Sequence, residues 1–287
     1  MITTVAGTGS PGYTGDNGFA TAAKLNFPFD VALDASGNLY IADTVNHVIR
    51  LVTKIGGLIT TVAGTGSPGY TGDNGFATAA KLNLPFGIAL DASGNLYIAD
   101  TYNHVIRLVT KIGGLITTVA GTGFLGYTGD NGFATAAKLN FPEDVALDAS
   151  GNLYIADTHN HVIRLVTNIG GLITTVAGTG SPGYTGDNGF ATAAKLNLPH
   201  RTALDASGNL YIADGDNQRI RLVYKLQSPT VSSSLKKSPV SKPHKNSPKA
   251  SKCDKKSKTC RQGISNVEVD DILVNSIVSE FPASRRL

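Results

Sequence analysis

The 287-residue chain has no run of 18 or more apolar residues. Because a helix needs about 20 apolar residues to cross a bilayer, a membrane-spanning helix is excluded. The N-terminus also lacks a charged segment followed by an apolar one, since Met1 leads straight into the strand-like Ile2–Ala6. We therefore expect an intracellular protein if this start is genuine and an extracellular one if the chain is truncated there, so the compartment stays open.

Recognised catalytic motifs are missing as well. The sequence has no Gly-x-Ser-x-Gly elbow, no His-Glu-x-x-His, no Walker loop and no pair of catalytic carboxylates at matching places in its repeats. Residues 1–226 contain no cysteine, and the spacing of Cys253 and Cys260 fits neither a CxxC redox motif nor common zinc sites. We expect a non-enzymatic protein without catalytic residues, metal or cofactor. Whether the two cysteines form a disulfide stays open.

Four copies of one 57-residue unit make up most of the chain. The phrase LDASGNLYIAD recurs without change at residues 33–43, 90–100, 147–157 and 204–214. A period of this length built from short strands is typical of a β-propeller, in which each unit forms one four-stranded blade. The sequence therefore predicts an all-β propeller of four blades over residues 1–226.

The first unit illustrates the expected strands. Segments rich in β-branched and apolar residues predict strands at Asp30–Asp34, Leu39–Asp43, Val48–Thr53 and Ile59–Ala63. The Ala-Ser-Gly-Asn sequence after the first strand offers residues that tolerate positive φ, so it predicts a tight hairpin. About 20 residues rich in Gly, Asp, Asn and Ala then lead to the next unit.

The two ends of the repeat array complement each other. The chain opens with a strand-four sequence at Ile2–Ala6, and its last unit stops at strand three. In a closed propeller such a strand completes the final blade and removes two exposed edges. We predict that Ile2–Ala6 pairs with Ile220–Tyr224. An open arc, or self-association into a larger ring, is the alternative.

The string GNLYIADTxNHxIR at residues 37–50 resembles the NHL repeat family, as do its copies at 94–107 and 151–164. The flanking ITTVAG and GYxGDxG elements are similar to a long-unit variety found in bacterial proteins and teneurin-like ectodomains. This resemblance implies a propeller, often six-bladed, that chiefly binds proteins and in some members RNA or carbohydrate-linked ligands. A few relatives are enzymes. The fourth copy departs from the pattern at residues 215–219, where it loses the histidine.

Several repeated polar residues have a structural interpretation. His47, His104 and His161 recur once per blade, which indicates hydrogen-bond donors in turns more than zinc ligands. Asp43 and its copies end strand two, where a carboxylate can accept amides of the following turn. The repeated Gly-Asp-Asn-Gly loop, first at residues 15–18, indicates a turn, with a calcium site as the alternative.

The positions where near-identical copies differ are those that the scaffold allows to vary. Most differences lie just before and into strand one, and in the turn between strands two and three, which antiparallel pairing places at one end of each blade. We predict that a protein or peptide binds this face. The candidate residues are Phe29, Asp30, Val45, Phe86, Tyr102, Glu143, Asp144, His159, His200, Arg201 and Asp216.

Three alternatives remain for this face. The differences could reflect neutral drift on tolerant loops, the face could carry a lyase or hydrolase site, or the chain could be a duplicated fragment without a function of its own. Loss of turnover on replacing His200 and Arg201 would indicate an enzyme.

The segment after the repeats is basic. Residues 227–287 carry 12 Lys and Arg against 5 Asp and Glu, whereas residues 1–226 carry 13 against 16. Nucleic-acid binding by the propeller is therefore disfavoured, and weak polyanion contact is assigned to the tail. The composition predicts a disordered Ser/Pro/Lys-rich linker at 227–263, and apolar residues at helical spacing predict a short amphipathic helix within 264–287.

Overall fold

A computed structural model describes residues 1–225, which form four antiparallel sheets numbered as blades one to four in chain order. Blade one contains β1 (Pro28–Leu33), β2 (Leu39–Asp43), β3 (Val48–Val52) and β4 (Ile59–Ala63). Blade two contains β5 (Pro85–Leu90), β6 (Leu96–Asp100), β7 (Val105–Val109) and β8 (Ile116–Ala120). Blade three contains β9 (Pro142–Leu147), β10 (Leu153–Asp157), β11 (Val162–Val166) and β12 (Ile173–Ala177). Blade four contains β13 (Pro199–Leu204), β14 (Leu210–Asp214) and β15 (Arg219–Val223).

Short 3₁₀ turns connect these strands. One precedes the first strand of each blade, and another joins the second strand to the third. They are Ala20–Ala22, Thr44–Asn46, Ala77–Ala79, Thr101–Asn103, Ala134–Ala136, Thr158–Asn160, Ala191–Ala193 and Gly215–Asn217. Within residues 1–225, no helix is long and apolar enough to cross a membrane.

The predicted all-β propeller is confirmed, and so is the hairpin between the first two strands of each blade. In blade one, the carboxylate of Asp34 accepts the amides of Ser36 and Asn38 at 2.9 Å, and Gly37 has a φ of 83°. A side chain that satisfies the amides of its own turn is typical of Asp at such a position. The sequence Asp-Ala-Ser-Gly-Asn therefore determines the turn locally in all four copies.

The hydrophobic core lies between successive blades. Ala42 and Ile49 of blade one pack in one buried cluster with Ile98 and Ile116 of blade two, and the connector residue Leu82 joins them. Equivalent clusters lie between blades two and three and between blades three and four. A single four-stranded blade cannot bury both of its faces, so neighbouring blades stabilise each other. The first strands of the four blades are neighbours in chain order: β5 contacts both β1 and β9, and β9 also contacts β13.

The prediction that Ile2–Ala6 pairs with Ile220–Tyr224 is wrong. Ile2–Ala6 lies outside the strands, Ile2 is 97% exposed, and blade four has three strands, so the open arc is the alternative that the structure adopts. In blade one, β4 follows β3 through a local turn in which the Thr53 amide donates to Leu58 at 2.9 Å. Ile2–Ala6 has no such preceding strand, and a hydrogen bond from the Gly7 amide to Ala20 at 2.9 Å holds its end at blade one, so it reaches β15 only if the ends of the arc meet. The linker predicted at 227–263 and the helix predicted at 264–287 lie outside the described residues.

Candidate functional site

The variable positions lie at one end of the blades, as predicted. In blade one, Pro28 at the start of β1 lies opposite Asp43 at the end of β2, and the 3₁₀ turn Thr44–Asn46 follows directly. The other three blades repeat this register. We call this end the turn face: it consists of the starts of β1, β5, β9 and β13 and the 3₁₀ turns that follow β2, β6, β10 and β14. The opposite face carries the invariant Ala-Ser-Gly-Asn hairpins.

The first variable position of each blade forms two pairs across neighbouring blades. The rings of Phe29 and Phe86 have centroids 4.2 Å apart. His200 Nδ1 lies 2.8 Å from Glu143 Oε2. The side chain of Glu143 is 13% exposed, so its carboxylate is mostly occupied by this contact. The first variable positions thus form one aromatic pair, between blades one and two, and one charged pair, between blades three and four.

The second variable position brings three charges together. Arg201 Nη1 lies 2.9 Å from Asp144 Oδ1 and 3.1 Å from Asp30 Oδ2, so one guanidinium bridges blades three and one. The equivalent residue of blade two is Gly87, and a Cβ there would lie 2.7 Å from the Cα of Asp144. Glycine at this position is therefore required by the close approach of the β9 backbone.

The two carboxylates also hold the first strands together. Asp30 accepts the Ile88 amide at 2.9 Å, and Asp144 accepts the Thr202 amide at 2.7 Å. Burial raises the pKa of Asp144 to about 6, although the attraction of Arg201 and the amide of Thr202 act in the opposite direction. Asp30, Asp144 and Arg201 therefore link the blades, and little of their charge is free for a ligand.

Aromatic rings form a continuous row across the turn face. Centroid distances are 6.2 Å from Phe27 to Phe29, 6.5 Å from Phe86 to Tyr102, 4.9 Å from Tyr102 to Phe141 and 4.7 Å from Phe141 to His159. With the pair of Phe29 and Phe86 in its middle, this row extends from blade one to blade three. We call it the aromatic strip; its members are Phe27, Phe29, Phe86, Tyr102, Phe141 and His159.

Much of the aromatic strip is open to solvent. Phe27 is 64% exposed, Tyr102 is 47% exposed, and His159 is also exposed. Val45 and Asp216 occupy the position of Tyr102 and His159 in blades one and four, and both are exposed. Of the predicted site residues, Phe29, Phe86, Tyr102 and His159 thus join one apolar surface, while the charged ones pair with one another beside it.

Two members of the strip, Phe27 and Phe141, were not predicted. Both have positive φ, of 54° and 48°, and so do Leu84 and Leu198 at the equivalent positions. Positive φ is uncommon for such side chains, and here it directs the residue before proline onto the turn face. The alternation of Phe and Leu between copies was the available signal, but the residue lies in a connector that the strand pattern did not orient.

The repeated histidines act as acceptors between blades, not as the predicted donors within turns. His47 occupies the left-handed region with a φ of 57°, and its Nδ1 accepts the Leu84 amide of blade two at 3.0 Å. His104 and His161 accept the amides of Phe141 and Leu198 in the same way. Burial lowers the pKa of all three imidazoles, which keeps the accepting nitrogen unprotonated.

The repeated aspartates belong to buried ion pairs. Asp43 accepts the upstream Asn26 amide at 2.7 Å, rather than an amide of the following turn, and contacts Arg50 at 3.3 Å. Arg50 is fully buried and also contacts Asp16 of the Gly-Asp-Asn-Gly loop at 2.6 Å. The loop carboxylate is therefore engaged by arginine. Among residues 1–225, no group of three His, Cys, Asp or Glu residues could hold a metal ion.

Comparisons with known proteins agree with the repeat pattern. A family model described as NHL repeat matches residues 82–107, 139–164 and 196–221. The chain is similar to NHL repeat-containing protein 2 of Homo sapiens, with 33% identity over 156 residues that cover 52% of this chain and 21% of the relative. It is also similar to teneurin-1 of Mus musculus, with 29% identity over 256 residues that cover 78% of this chain and 9% of the relative. The chain thus spans about a fifth or less of the length of these relatives.

A solved structure supports the architecture. An auxiliary nutrient binding protein from Bacteroides ovatus has a TM-score of 0.52 at 20% identity, covering 70% of this chain and 48% of that one, which is a likeness of fold. Each stretch matched by the family model contains the first two strands of a blade and most of the third. Three of the four 57-residue units of this chain therefore match the NHL repeat, and the chain contains NHL repeats.

Proposed function

We propose that the chain is a non-catalytic binding module whose aromatic strip binds an extended peptide or a protein loop. The observation that carries this proposal is the unbroken row of rings from Phe27 to His159 on the turn face. Aromatic residues supply large apolar contact area at low cost in conformational entropy, and they dominate the energetics of many protein interfaces. Phe27 and Tyr102, each about half exposed or more, would be the first rings to meet a partner.

The pairing of the charges supports an apolar mode of recognition. Glu143 contacts His200, and Arg201 contacts two carboxylates, so these groups are already satisfied within the scaffold. A partner that places apolar or aromatic side chains over Phe86, Tyr102 and Phe141 would bury surface without breaking an ion pair. Specificity would then come from the exposed polar groups at the end of the row, His159 and Asp216.

A lyase or hydrolase site on the same face is the second candidate, and it has less support. The residues available for proton transfer are Glu143, Asp144 and His200, and each is held by a neighbour. Their contacts stabilise the junctions between blades three, four and one. The proposal holds equally if these repeats are part of a longer protein.

The test is peptide selection from a random display library on the full chain, followed by affinity measurement with alanine variants. We expect Phe86→Ala, Tyr102→Ala and Phe141→Ala each to weaken selected peptides about ten-fold, because a central aromatic anchor contributes about 1–2 kcal/mol or more. The matched control is Ile112→Ala: Ile112 is exposed in a hairpin on the opposite face. Unchanged binding by the three strip variants, or loss with Ile112→Ala, would contradict the proposal.

A further inference from the structure

Among residues 1–225, blade four has three strands, and a groove lies at the edge where a fourth strand would pair. The groove has a volume of about 1320 Å³ and is lined by residues of blades three and four, among them Phe190, Ile220, Leu222 and Tyr224. Ile220 of β15 is 71% exposed, whereas its equivalent in blade one, Ile49, is fully buried. An exposed apolar edge strand is a template for pairing with another strand.

Blades one to three show which strand pairs at the equivalent edge. In each of them the third strand pairs with an Ile-Thr-Thr-Val-Ala strand, with Ile49 opposite Ala63, Arg50 opposite Thr61, and Val52 opposite Ile59 in blade one. The same register recurs between β7 and β8 and between β11 and β12. Three observed copies thus define the sequence and register of the strand that fits this edge.

The connector before each of blades one to three also hydrogen-bonds to the fourth strand of that blade. The equivalent tyrosine and asparagine before blade four do not make these bonds among residues 1–225. The hydroxyls of Tyr13, Tyr70 and Tyr127 hydrogen-bond to a threonine of the fourth strand at 2.8–2.9 Å, whereas Tyr184 bonds to Asp187 of its own loop. The amides of Asn17, Asn74 and Asn131 donate to the first residue of the fourth strand at 2.7 Å. Asn188 finds no such acceptor among residues 1–225.

One segment of the described chain has the required sequence and is unpaired. Ile2–Ala6 is identical, residue for residue, to β4, β8 and β12. It lies outside the strands, and the next residue, Gly7, is anchored to blade one by a hydrogen bond to Ala20 at 2.9 Å. Gly64 makes the equivalent bond to Ala77 of blade two. Ile2–Ala6 therefore occupies the position of a fourth strand that precedes blade one.

We propose that Ile2–Ala6 of a second copy of this chain inserts into the groove beside β15 and completes blade four. Transferring the register of blade one places Ile2 opposite Val223, Thr3 opposite Leu222, and Thr4 opposite Arg221. The Thr4 hydroxyl then reaches Tyr184, and the strand covers Ile220. Adding a strand to a sheet edge uses main-chain hydrogen bonds for affinity and side-chain pockets for specificity.

A second copy fits this site better than the same copy. The anchor at Gly7 places Ile2–Ala6 in series with blade one, so blade one of the donor chain follows blade four of the acceptor as blade two follows blade one. Such a head-to-tail contact forms a ring if its rotation closes and a filament if it does not.

The junction between copies should be weaker than the junctions within one chain. Between blades one and two, the Thr44 hydroxyl donates to Pro85 at 2.7 Å and His47 accepts the Leu84 amide at 3.0 Å. Blade four has Gly215 and Gln218 at these positions. The junction between copies would keep the backbone hydrogen bonds between Ile2–Ala6 and β15, but these two side-chain hydrogen bonds would be absent or changed. We therefore expect reversible, concentration-dependent association.

Disulfide trapping tests the proposal with the full chain. All variants carry Cys253→Ser and Cys260→Ser, and a Thr3→Cys chain is mixed with a Leu222→Cys chain under mild oxidation. Directly opposed residues of antiparallel strands have Cβ atoms close enough for a disulfide. We expect a disulfide-linked dimer from this mixture and little from the mis-registered control, Thr3→Cys with Ile220→Cys.

Light scattering over a concentration series supplies the second measurement. We expect a mass above that of the monomer, and association about ten-fold weaker or more in Thr4→Pro, because proline removes a ladder donor within the inserted strand. A synthetic Ile-Thr-Thr-Val-Ala-Gly peptide should compete with the assembly. A monomer at every concentration, or a disulfide within one chain when Thr3→Cys and Leu222→Cys are combined, would overturn the proposal. Failure here would leave the aromatic strip untouched, since the two sites share no residue.

Discussion

Arg201 Nη1 of blade four lies 3.1 Å from Asp30 Oδ2 of blade one, although the two blades are the first and the last of the array. The same guanidinium contacts Asp144 of blade three at 2.9 Å, and it lies over the ring of Phe29 with 4.7 Å to the centroid. One side chain thus joins the ends of the arc at its centre, while the outer edge of blade four stays open. An ion pair therefore joins the first strands of blades one and four, whereas β15 at the outer edge of blade four pairs with no fourth strand among residues 1–225.

Replacing Arg201 should loosen this central contact. We expect Arg201→Met to lower the free energy of unfolding. It should also raise the pKa of Asp144 above about 6, because the guanidinium partly offsets the increase that burial causes. The carboxyl carbon of Asp144, followed by NMR titration, measures the second effect. Arg201→Lys is the control: it keeps the charge, so it should retain most of the effect on the pKa while losing the bridge to two carboxylates.

The raised pKa of Asp144 predicts a pH dependence of stability. The folded chain binds this proton more tightly, at about 6, than the unfolded chain does, near the ordinary 3.8. The contribution of Asp144 to stability is therefore fully present below pH 3.8 and is lost as the pH rises through about 6. Relative to Asp144→Asn, the wild type should lose on the order of 2 kcal/mol between pH 4 and 7.

Urea unfolding of both chains at several pH values measures this difference. The comparison cancels the titration of the other groups, including the repeated aspartates and histidines, because both chains contain them. Parallel curves for the wild type and Asp144→Asn would show that the carboxyl does not titrate in this range.

The fold was predictable because the repeat presents each local signal four times. Alternating apolar residues and the Asp-Ala-Ser-Gly-Asn hairpin placed β2 and β4 at their observed bounds, Leu39–Asp43 and Ile59–Ala63. The end of the blade that carries the variable residues followed from antiparallel pairing alone. These features depend on short-range interactions, which a single sequence records directly.

The candidate site was predictable only in outline. Sequence differences named Phe86 and Tyr102 as candidates, but they did not show that Glu143 and His200 contact each other across two blades. Such pairs depend on the distance between neighbouring inner strands, which repeat spacing does not determine. The closure through Ile2–Ala6 failed for a related reason: the sequences match, but whether the ends meet depends on how each blade is rotated relative to the one before it.

The buried ion pairs predict a large difference between two equivalent arginines. Arg107 is fully buried between Asp100 at 3.3 Å and Asp73 at 2.7 Å, and burial raises the pKa of Asp100 to about 6. Arg107→Met would leave Asp100 buried without a cation, and we expect a loss of about 3–5 kcal/mol in the free energy of unfolding. Thermal unfolding followed by circular dichroism measures it.

Arg221 is the matched control, since it holds the same position in blade four but borders the open groove. Arg221→Met should cost less, because Arg221 is 10% exposed beside the open groove, so that water can reach the space that its removal leaves next to Asp214. The double variant Arg107→Met with Asp100→Asn should recover part of the loss by removing the unpaired charge. Equal losses for the two single arginine variants would contradict the role assigned to burial.

The last prediction concerns the histidines that join consecutive blades. His47→Ala removes the acceptor of the Leu84 amide, and we expect a loss of about 1 kcal/mol, the usual contribution of one such hydrogen bond. Gln218 occupies the same left-handed position in blade four, with a φ of 57°, but it precedes no further blade in the described chain. Gln218→Ala should therefore leave the stability of the monomer nearly unchanged, as measured by urea unfolding at low protein concentration. If both substitutions cost the same, the histidine would matter for its turn and not for the contact between blades.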